Sequence, residues 1–147
     1  MNRRKFNTLA GLSTLGMMSA KANYNPLNTP YQYHLNYAPH LGMFKAHAGD
    51  DPIDQLHFMA DQGFKSFEDN EMRNRPLALQ EKMAKTMVER GMKMGVFVAH
   101  NIAWNRPNLA SGDKDERATF LSEIKSSIDV AKRVNAKWMT VVPGLKD

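Results

Sequence analysis

The hydrophobic positions of the chain follow one theme four times: a short apolar run, then a polar loop, then an amphipathic stretch that ends at Gly or Asn. The apolar runs predict strands at residues 35–44, 64–67, 92–99 and 138–142. The amphipathic stretches between them predict three helices. Strands that alternate with helices of this length indicate βαβ units, so we expect an α/β fold with a parallel sheet and right-handed crossovers.

The residues that bound the first two helices are specific. Asp51 precedes Pro52, and Asp is a good N-cap while Pro is favoured at the first helical position. Gly63 ends this helix. Pro76 and Gly91 bound the second helix in the same way.

The third helix is predicted to begin at Asp113 or Asp115. Its apolar residues recur with a period near 3.6 over three turns, and we expect this stripe to face the core. The stripe consists of Phe120, Ile124, Ile128 and Ala131.

Two architectures fit this order of elements: a doubly wound open sheet, or consecutive units of a (β/α)8 barrel. A doubly wound nucleotide-binding sheet usually carries a G-x-G-x-x-G turn after its first strand. Here that turn reads Lys-Ala-His-Ala-Gly-Asp at residues 45–50 and lacks the pattern. The nucleotide-binding interpretation therefore loses its main support, while both architectures stay open.

The N-terminal residues have the three parts of a secretory signal: basic residues 3–5, an apolar run at 9–18 and a small-x-small site at 20–22. The arginine pair resembles a twin-arginine export signal. The alternative, an amphipathic helix packed on the body, is disfavoured by two glycines and the lack of a regular polar face. We expect a signal peptide over residues 1–22, a proline-containing linker over 23–33, and an exported, periplasmic protein.

Composition excludes several classes of function. The 147 residues are 42% hydrophobic and 24% charged, which is typical of one globular domain. The absence of cysteine excludes disulfides, thiolate nucleophiles and cysteine-ligated metals. Of the 20 basic residues four lie in residues 1–22, so the rest of the chain has 16 basic against 15 acidic side chains. We expect neither nucleic-acid binding nor, in the mature form, a membrane association.

Polar side chains at the carboxyl ends of strands are the best candidates for a site, because chemistry gathers there in α/β folds. Glu68 could accept a hydrogen bond from a substrate hydroxyl, and His100 could donate to a sugar oxygen or carry a proton. His40 is a similar candidate, and Trp104 could form the apolar wall of a sugar pocket. For each residue a structural role is the open alternative. These four are candidate substrate-binding residues, and no catalytic residue is assigned.

A metal site is not predicted within this chain. Mg²⁺, Mn²⁺ or Co²⁺ prefers several carboxylates, often with a histidine, that converge from different strands. Only Glu68 with His40 or His100 could converge, which is too few ligands. The neighbouring carboxylates Asp69 and Glu71 are expected to face solvent.

Several ordered strings resemble one known family. They are Tyr-Ala-Pro-His-Leu-Gly-Met-Phe at 37–44, Asp-Pro-Ile-Asp-Gln-Leu at 51–56, Gly-Phe-Lys-Ser-Phe-Glu-Asp-Asn at 63–70, Gly-Val-Phe-Val-Ala-His at 95–100, and Val-Asn-Ala-Lys-Trp-Met-Thr-Val-Val-Pro-Gly at 134–144. Together they resemble the N-terminal half of hydroxypyruvate-isomerase-like proteins, in the xylose-isomerase-like TIM-barrel superfamily of sugar isomerases and epimerases. On this resemblance, residues 34–147 are the N-terminal half of such a barrel.

The resemblance implies an aldose–ketose type interconversion of a sugar or hydroxy-keto acid, in which Mg²⁺, Mn²⁺ or Co²⁺ stabilises an enediolate. In that family the metal ligands and catalytic glutamates lie mainly on the fifth to eighth strands, so only Glu68 and His100 carry over. Because a whole barrel needs about 250 residues, we expect either half of a longer protein or a half-barrel that pairs with a second copy or a complementing half. The alternative function is a non-catalytic half-barrel that binds a sugar or a partner protein.

Overall fold

The structure is a computed structural model that describes residues 31–145. The predicted signal peptide and most of the predicted linker lie outside these residues. In chain order the elements are α1 (Lys45–Ala48), α2 (Pro52–Asp61), β1 (Ser66–Phe67), a 3₁₀ helix (Met72–Asn74), α3 (Leu77–Arg90), β2 (Lys93–Met94), a second 3₁₀ helix (Leu109–Ser111) and α4 (Lys114–Val134). Over the described range, every helix is too short or too polar to cross a membrane.

The helix boundaries follow the local signals of the sequence. The Asp51 carboxylate accepts a hydrogen bond from the Ile53 amide at 2.7 Å and caps α2. Gly91 ends α3 in the left-handed conformation, with φ at 64°. Asp113, rather than Asp115, caps α4. These predicted boundaries are confirmed because they depend on residues only a few positions apart.

Four short segments of the chain lie side by side in parallel. In chain order, the first contains residue 40, the second residues 66–68, the third residues 93–98 and the fourth residue 140. The parallel pairs are His40 with Glu68, Ser66 with Lys93, Phe67 with Met94, and Val98 with Thr140. The segments therefore follow one another in space in the same order as along the chain. This confirms the predicted α/β class with parallel strands, although the assigned strands β1 and β2 are only two residues long, shorter than the predicted runs.

An irregularity in the ladder explains why the run at 92–99 is split. The register of β1 and β2 would direct the Asp69 amide to the Gly95 carbonyl. It donates instead to the carbonyl of Val96, one residue further on, at 3.3 Å. This shift has the character of a β-bulge. A Cβ atom on Gly95 would lie 2.9 Å from the Phe67 carbonyl oxygen, so the close approach requires glycine.

The three longer helices pack on one face of the sheet. They contribute Leu56 and Met59 from α2, Met83 and Met87 from α3, and Val130 and Val134 from α4. These side chains form one core cluster with Phe67 and Met94. Since side chains alternate along a strand, Glu68 belongs to the opposite face.

The face that α4 buries overlaps the predicted stripe, except at one residue. Phe120 packs on His100, Ala131 packs on the core and Ile124 is half-buried. The helix buries Ser127, Val130 and Val134, whereas Ile128, which was predicted to face the core, is 44% exposed. Periodicity identifies the apolar side of a helix but not which neighbours cover it. α4 packs against α3 and against the two 3₁₀ helices. Trp138, beyond the helix, is 73% exposed.

Candidate functional site

His40 and Glu68 are neighbours at the carboxyl end of the sheet. Residues paired across a parallel bridge direct their side chains to the same face. The Glu68 carboxylate makes no hydrogen bond or ion pair with another residue of the described chain. The Nδ1 atom of His40 lies 2.6 Å from the Leu41 carbonyl oxygen and donates to it, which leaves Nε2 as an acceptor. This pair offers one carboxylate and one imidazole nitrogen to a ligand.

His100 is buried, and both of its ring nitrogens have partners within the protein. Nδ1 lies 2.9 Å from the carbonyl oxygen of Asn101, and Nε2 accepts a hydrogen bond from the Val142 amide at 3.0 Å. Its ring packs edge-on against Phe120, with centroids 5.0 Å apart. A neutral imidazole has one donor and one acceptor, and both are occupied here. In this arrangement His100 ties the end of the third segment to the end of the fourth.

Asp69 corrects the expectation that it faces solvent, because the residue is fully buried. Its carboxylate accepts from Nη2 of Arg75 at 3.0 Å, from Nε of the same arginine, and from the Glu71 amide at 3.2 Å. A buried charge is tolerated only when it is paired and hydrogen-bonded in this way. Glu71 is exposed, as expected. The Asp69–Arg75 pair fixes the loop that follows β1.

The loops after the second and third segments line a cleft of about 350 Å³. Its lining includes Asn70, Glu71, Asn74, Asn101, Ile102 and Trp104. Trp104 is 73% exposed, so its ring is available to a ligand at the rim. Of the four predicted site residues, His100 and Trp104 line this cleft, while His40 and Glu68 do not.

A second cleft of about 380 Å³ separates the loop after the third segment from the first half of α4. Nη1 of Arg106 lies 2.5 Å from Oε1 of Glu116 at its wall. The hydrogen bond and charge of Glu116 raise the pKa of Arg106 above its ordinary value. His100, Asn101 and Ile102 line both clefts, so they form the ridge between them.

One arginine connects the two walls of the first cleft. Nη1 of Arg73 lies 3.2 Å from Oδ1 of Asn74 on one wall, and its Nη2 lies 3.5 Å from Oε1 of Glu123. Glu123 in turn accepts from the backbone amide of Asn101 at 3.0 Å and from the side-chain amide of the same residue, on the other wall. Sequence reasoning missed these residues, because nothing in the sequence pairs positions 73 and 123.

The residues present do not by themselves form a metal site. Between residues 31 and 145 no three or more His, Asp or Glu side chains cluster closely enough to hold a metal ion. His40 and Glu68 together offer two donors, fewer than a divalent cation requires. No step proposed below is assigned to a metal.

Comparison with known proteins adds no identification. No protein-family model matches the chain, and no curated protein matches it. The family resemblance therefore rests on the ordered strings of the sequence alone.

Proposed function

We propose that residues 34–147 are the N-terminal half of an exported sugar or hydroxy-keto-acid isomerase or epimerase of the xylose-isomerase-like barrel type. One observation supports this proposal most: four parallel segments in chain order, with helices on one face and a polar cleft at their carboxyl ends. Consecutive units of a (β/α)8 barrel have this arrangement, and barrel enzymes bind their substrates at that end. The sequence resemblance points to the same class independently.

In the proposed reaction, an aldose–ketose type isomerisation, this half binds and orients the substrate. Asn70, Asn74 and Asn101 line the cleft with amide groups, a type that matches sugar hydroxyls. The Asn74 and Asn101 amides also hydrogen-bond to Glu71, Arg73 and Glu123, so a sugar would use their remaining hydrogen-bonding capacity. Trp104 offers an apolar ring face to the carbon skeleton. The free carboxylate of Glu68 accepts a hydrogen bond from a hydroxyl, and Nε2 of His40 accepts another. These groups would hold the substrate with its reacting carbons toward the rest of the barrel.

A divalent metal belongs to the proposed chemistry, where it would stabilise negative charge on the substrate oxygens. Because the described residues do not form its site, its ligands would have to come from a part of the barrel that completes this half. Mg²⁺, Mn²⁺ and Co²⁺ are the ions to supply in an assay.

The test is sugar binding and isomerisation by the full chain. Small aldoses and ketoses are titrated into the full chain, and binding is monitored by NMR, first in buffer free of Mn²⁺ and then in buffer that contains Mg²⁺. The titrations should show binding at the cleft. Glu68 lies outside the lining of this cleft, so Glu68→Gln tests whether a bound sugar extends beyond it to the Glu68 carboxylate. The variant should weaken binding about tenfold or more, because a hydrogen bond to a charged group contributes about 1.5–3 kcal/mol. Glu81→Gln on the exposed surface of α3 is the matched control and should change nothing. A Glu68→Gln variant with unchanged affinity would remove Glu68 from the site.

The second candidate is a half-barrel that binds a sugar or a partner without turnover. Exposed apolar side chains on α4 and the fourth segment favour it, among them Ile128, Trp138 and Val141. Sugar binding without any isomerisation, in the presence of each of the three metals, would support this candidate. The partner in either case is a second copy of the chain or a complementing half-barrel, because parallel edges and an open barrel interior need covering.

A further inference from the structure

Each arginine beside the two clefts faces a carboxylate. The three pairs are Arg73 with Glu123, Arg75 with Asp69, and Arg106 with Glu116. Two more carboxylates of the same region, those of Glu68 and Glu71, have no arginine or lysine partner within the described chain. Acidic groups therefore outnumber basic groups around the site. A cleft with such an excess repels anions and does not repel neutral molecules.

Arg73 lies beside the first cleft rather than in its lining, where its Nη1 contacts the lining residue Asn74 at 3.2 Å, and Glu123 lines the second cleft. The Nη2 of Arg73 is directed at Glu123, 3.5 Å away. The two side chains are only 18% and 15% exposed, so solvent screens their attraction less than on an open surface. Glu123 thereby neutralises the positive charge of Arg73. It also accepts hydrogen bonds from the backbone amide and from the side-chain amide of Asn101.

We propose that Glu123 is a specificity-determining residue, which makes the cleft select neutral polyhydroxylated sugars over hydroxy-keto acids and other anions. This inference rests on the proposed function, which leaves both substrate classes open. Tight recognition of a carboxylate substrate typically uses an arginine free to make two parallel hydrogen bonds. Here each guanidinium group beside the clefts is paired with a carboxylate, and the Nε of Arg73 is buried without a hydrogen-bond partner among the described residues. The first cleft itself is lined by the amide side chains of Asn70, Asn74 and Asn101.

The experiment compares two ligands that share one ring. D-Glucose is neutral, and D-glucuronate carries a carboxylate at C6 of the same pyranose. NMR titration of the full chain should show glucose binding about tenfold or more tighter than glucuronate. Glu123→Gln frees Arg73 and should shift the affinity ratio toward glucuronate about tenfold. Asp61→Asn is the matched control, because it frees Arg90 in an exposed pair away from the clefts, and it should leave the ratio unchanged.

A second variant keeps the proposal testable if Glu123→Gln does not fold. Arg73→Gln leaves the Glu123 carboxylate unpaired, so the ratio should shift further toward glucose. A wild-type chain that binds glucuronate as well as or better than glucose would overturn the specificity proposal and leave the sugar site standing. So would a folded Glu123→Gln variant with an unchanged ratio. If the wild-type chain binds neither ligand, nor any of the small aldoses and ketoses of the first test, the proposed function itself is overturned.

Discussion

At the scale of single residues, hydrogen-bond partners decide what a side chain can do. His100 stands at a strand end, where the sequence makes it a candidate ligand contact, yet its two nitrogens bind Asn101 and Val142. Glu68 stands at an equivalent position and keeps a free carboxylate. Both are polar side chains at strand ends. Their surroundings decide that one links two segments while the other is available to a substrate.

The structural role of His100 predicts a cost in stability. His100→Ala removes a buried ring and leaves the Val142 amide without its acceptor, so the free energy of unfolding should fall by about 2–4 kcal/mol. Urea denaturation measures this change. His34→Ala, at an exposed position, is the control and should stay within about 0.5 kcal/mol of the wild type. A His100→Ala variant of normal stability that no longer binds sugar would assign the residue to the ligand instead.

Asp69 allows a direct comparison of a buried and an exposed ion pair. Asp69→Ala leaves Arg75 without its partner in a largely buried setting, and should lower the free energy of unfolding by about 3 kcal/mol. Asp61→Ala breaks the exposed pair with Arg90 and should cost less than about 1 kcal/mol. Thermal and urea denaturation of the two variants provide the measurement. Equal losses would contradict the role given to the Asp69 pair.

At the scale of elements, short local signals set where helices begin and end, and a long-range contact shortens a strand. The caps of α2 and α4 are single aspartates whose carboxylates accept amides two or three residues away. β2 ends where the Asp69 amide bonds to Val96 instead of Gly95. That shift depends on how closely β1 approaches Gly95. The hydrophobic pattern of residues 92–99 carries no information about this distance.

The close approach at Gly95 can be tested by adding a side chain. Gly95→Ala places a Cβ atom 2.9 Å from the Phe67 carbonyl oxygen, so the free energy of unfolding should fall by about 1–3 kcal/mol. Gly91→Ala is the control, because a Cβ there meets nothing within 4 Å while the residue has the left-handed conformation with φ at 64°. It should cost about 1 kcal/mol from backbone strain alone. A Gly95→Ala variant as stable as the wild type would mean that the two segments can separate without loss.

The cap of α4 predicts a dependence on pH. Hydrogen bonds from the Glu116 and Asp115 amides hold the pKa of Asp113 below its ordinary value of 3.8. A lowered pKa in the folded state means that this contribution to stability is complete above pH 3.8 and is lost as the pH falls through the lower folded value. The amide chemical shifts of Asp115 and Glu116 should follow that titration. In the Asp113→Asn variant the response should disappear, and its persistence would assign the shifts to another group.

At the scale of the whole molecule, the described chain covers one face of its sheet and leaves one end of its helix layer open. α2, α3 and α4 share a single core with Phe67 and Met94. The apolar side chains of Ile128 on α4 and of Trp138 and Val141 after it are exposed. In a barrel the next strand and helix would cover this region, so the distribution of exposed apolar surface agrees with the proposed half-barrel.

This surface predicts self-association when nothing else covers it. Sedimentation velocity should show that the full chain associates as its concentration rises. Ile128→Lys combined with Trp138→Lys should weaken that association, because burying charges in an apolar contact is unfavourable. Leu77→Lys, which replaces an exposed leucine at the start of α3, is the control. A monomeric wild-type chain at all concentrations would exclude the second copy as the partner.

The sequence by itself determined the elements of this protein and the neighbourhood of its site. Helix ends at Asp51, Gly91 and Asp113, the approximate strand positions and the polar strand ends all follow from residues close together in the chain, whose backbone preferences act locally. Only the tertiary structure decided the order of the segments, the burial of Asp69 and the joining of the cleft walls through Arg73. These features depend on groups that the fold brings together from distant positions, where desolvation and close packing, rather than local preference, set the outcome.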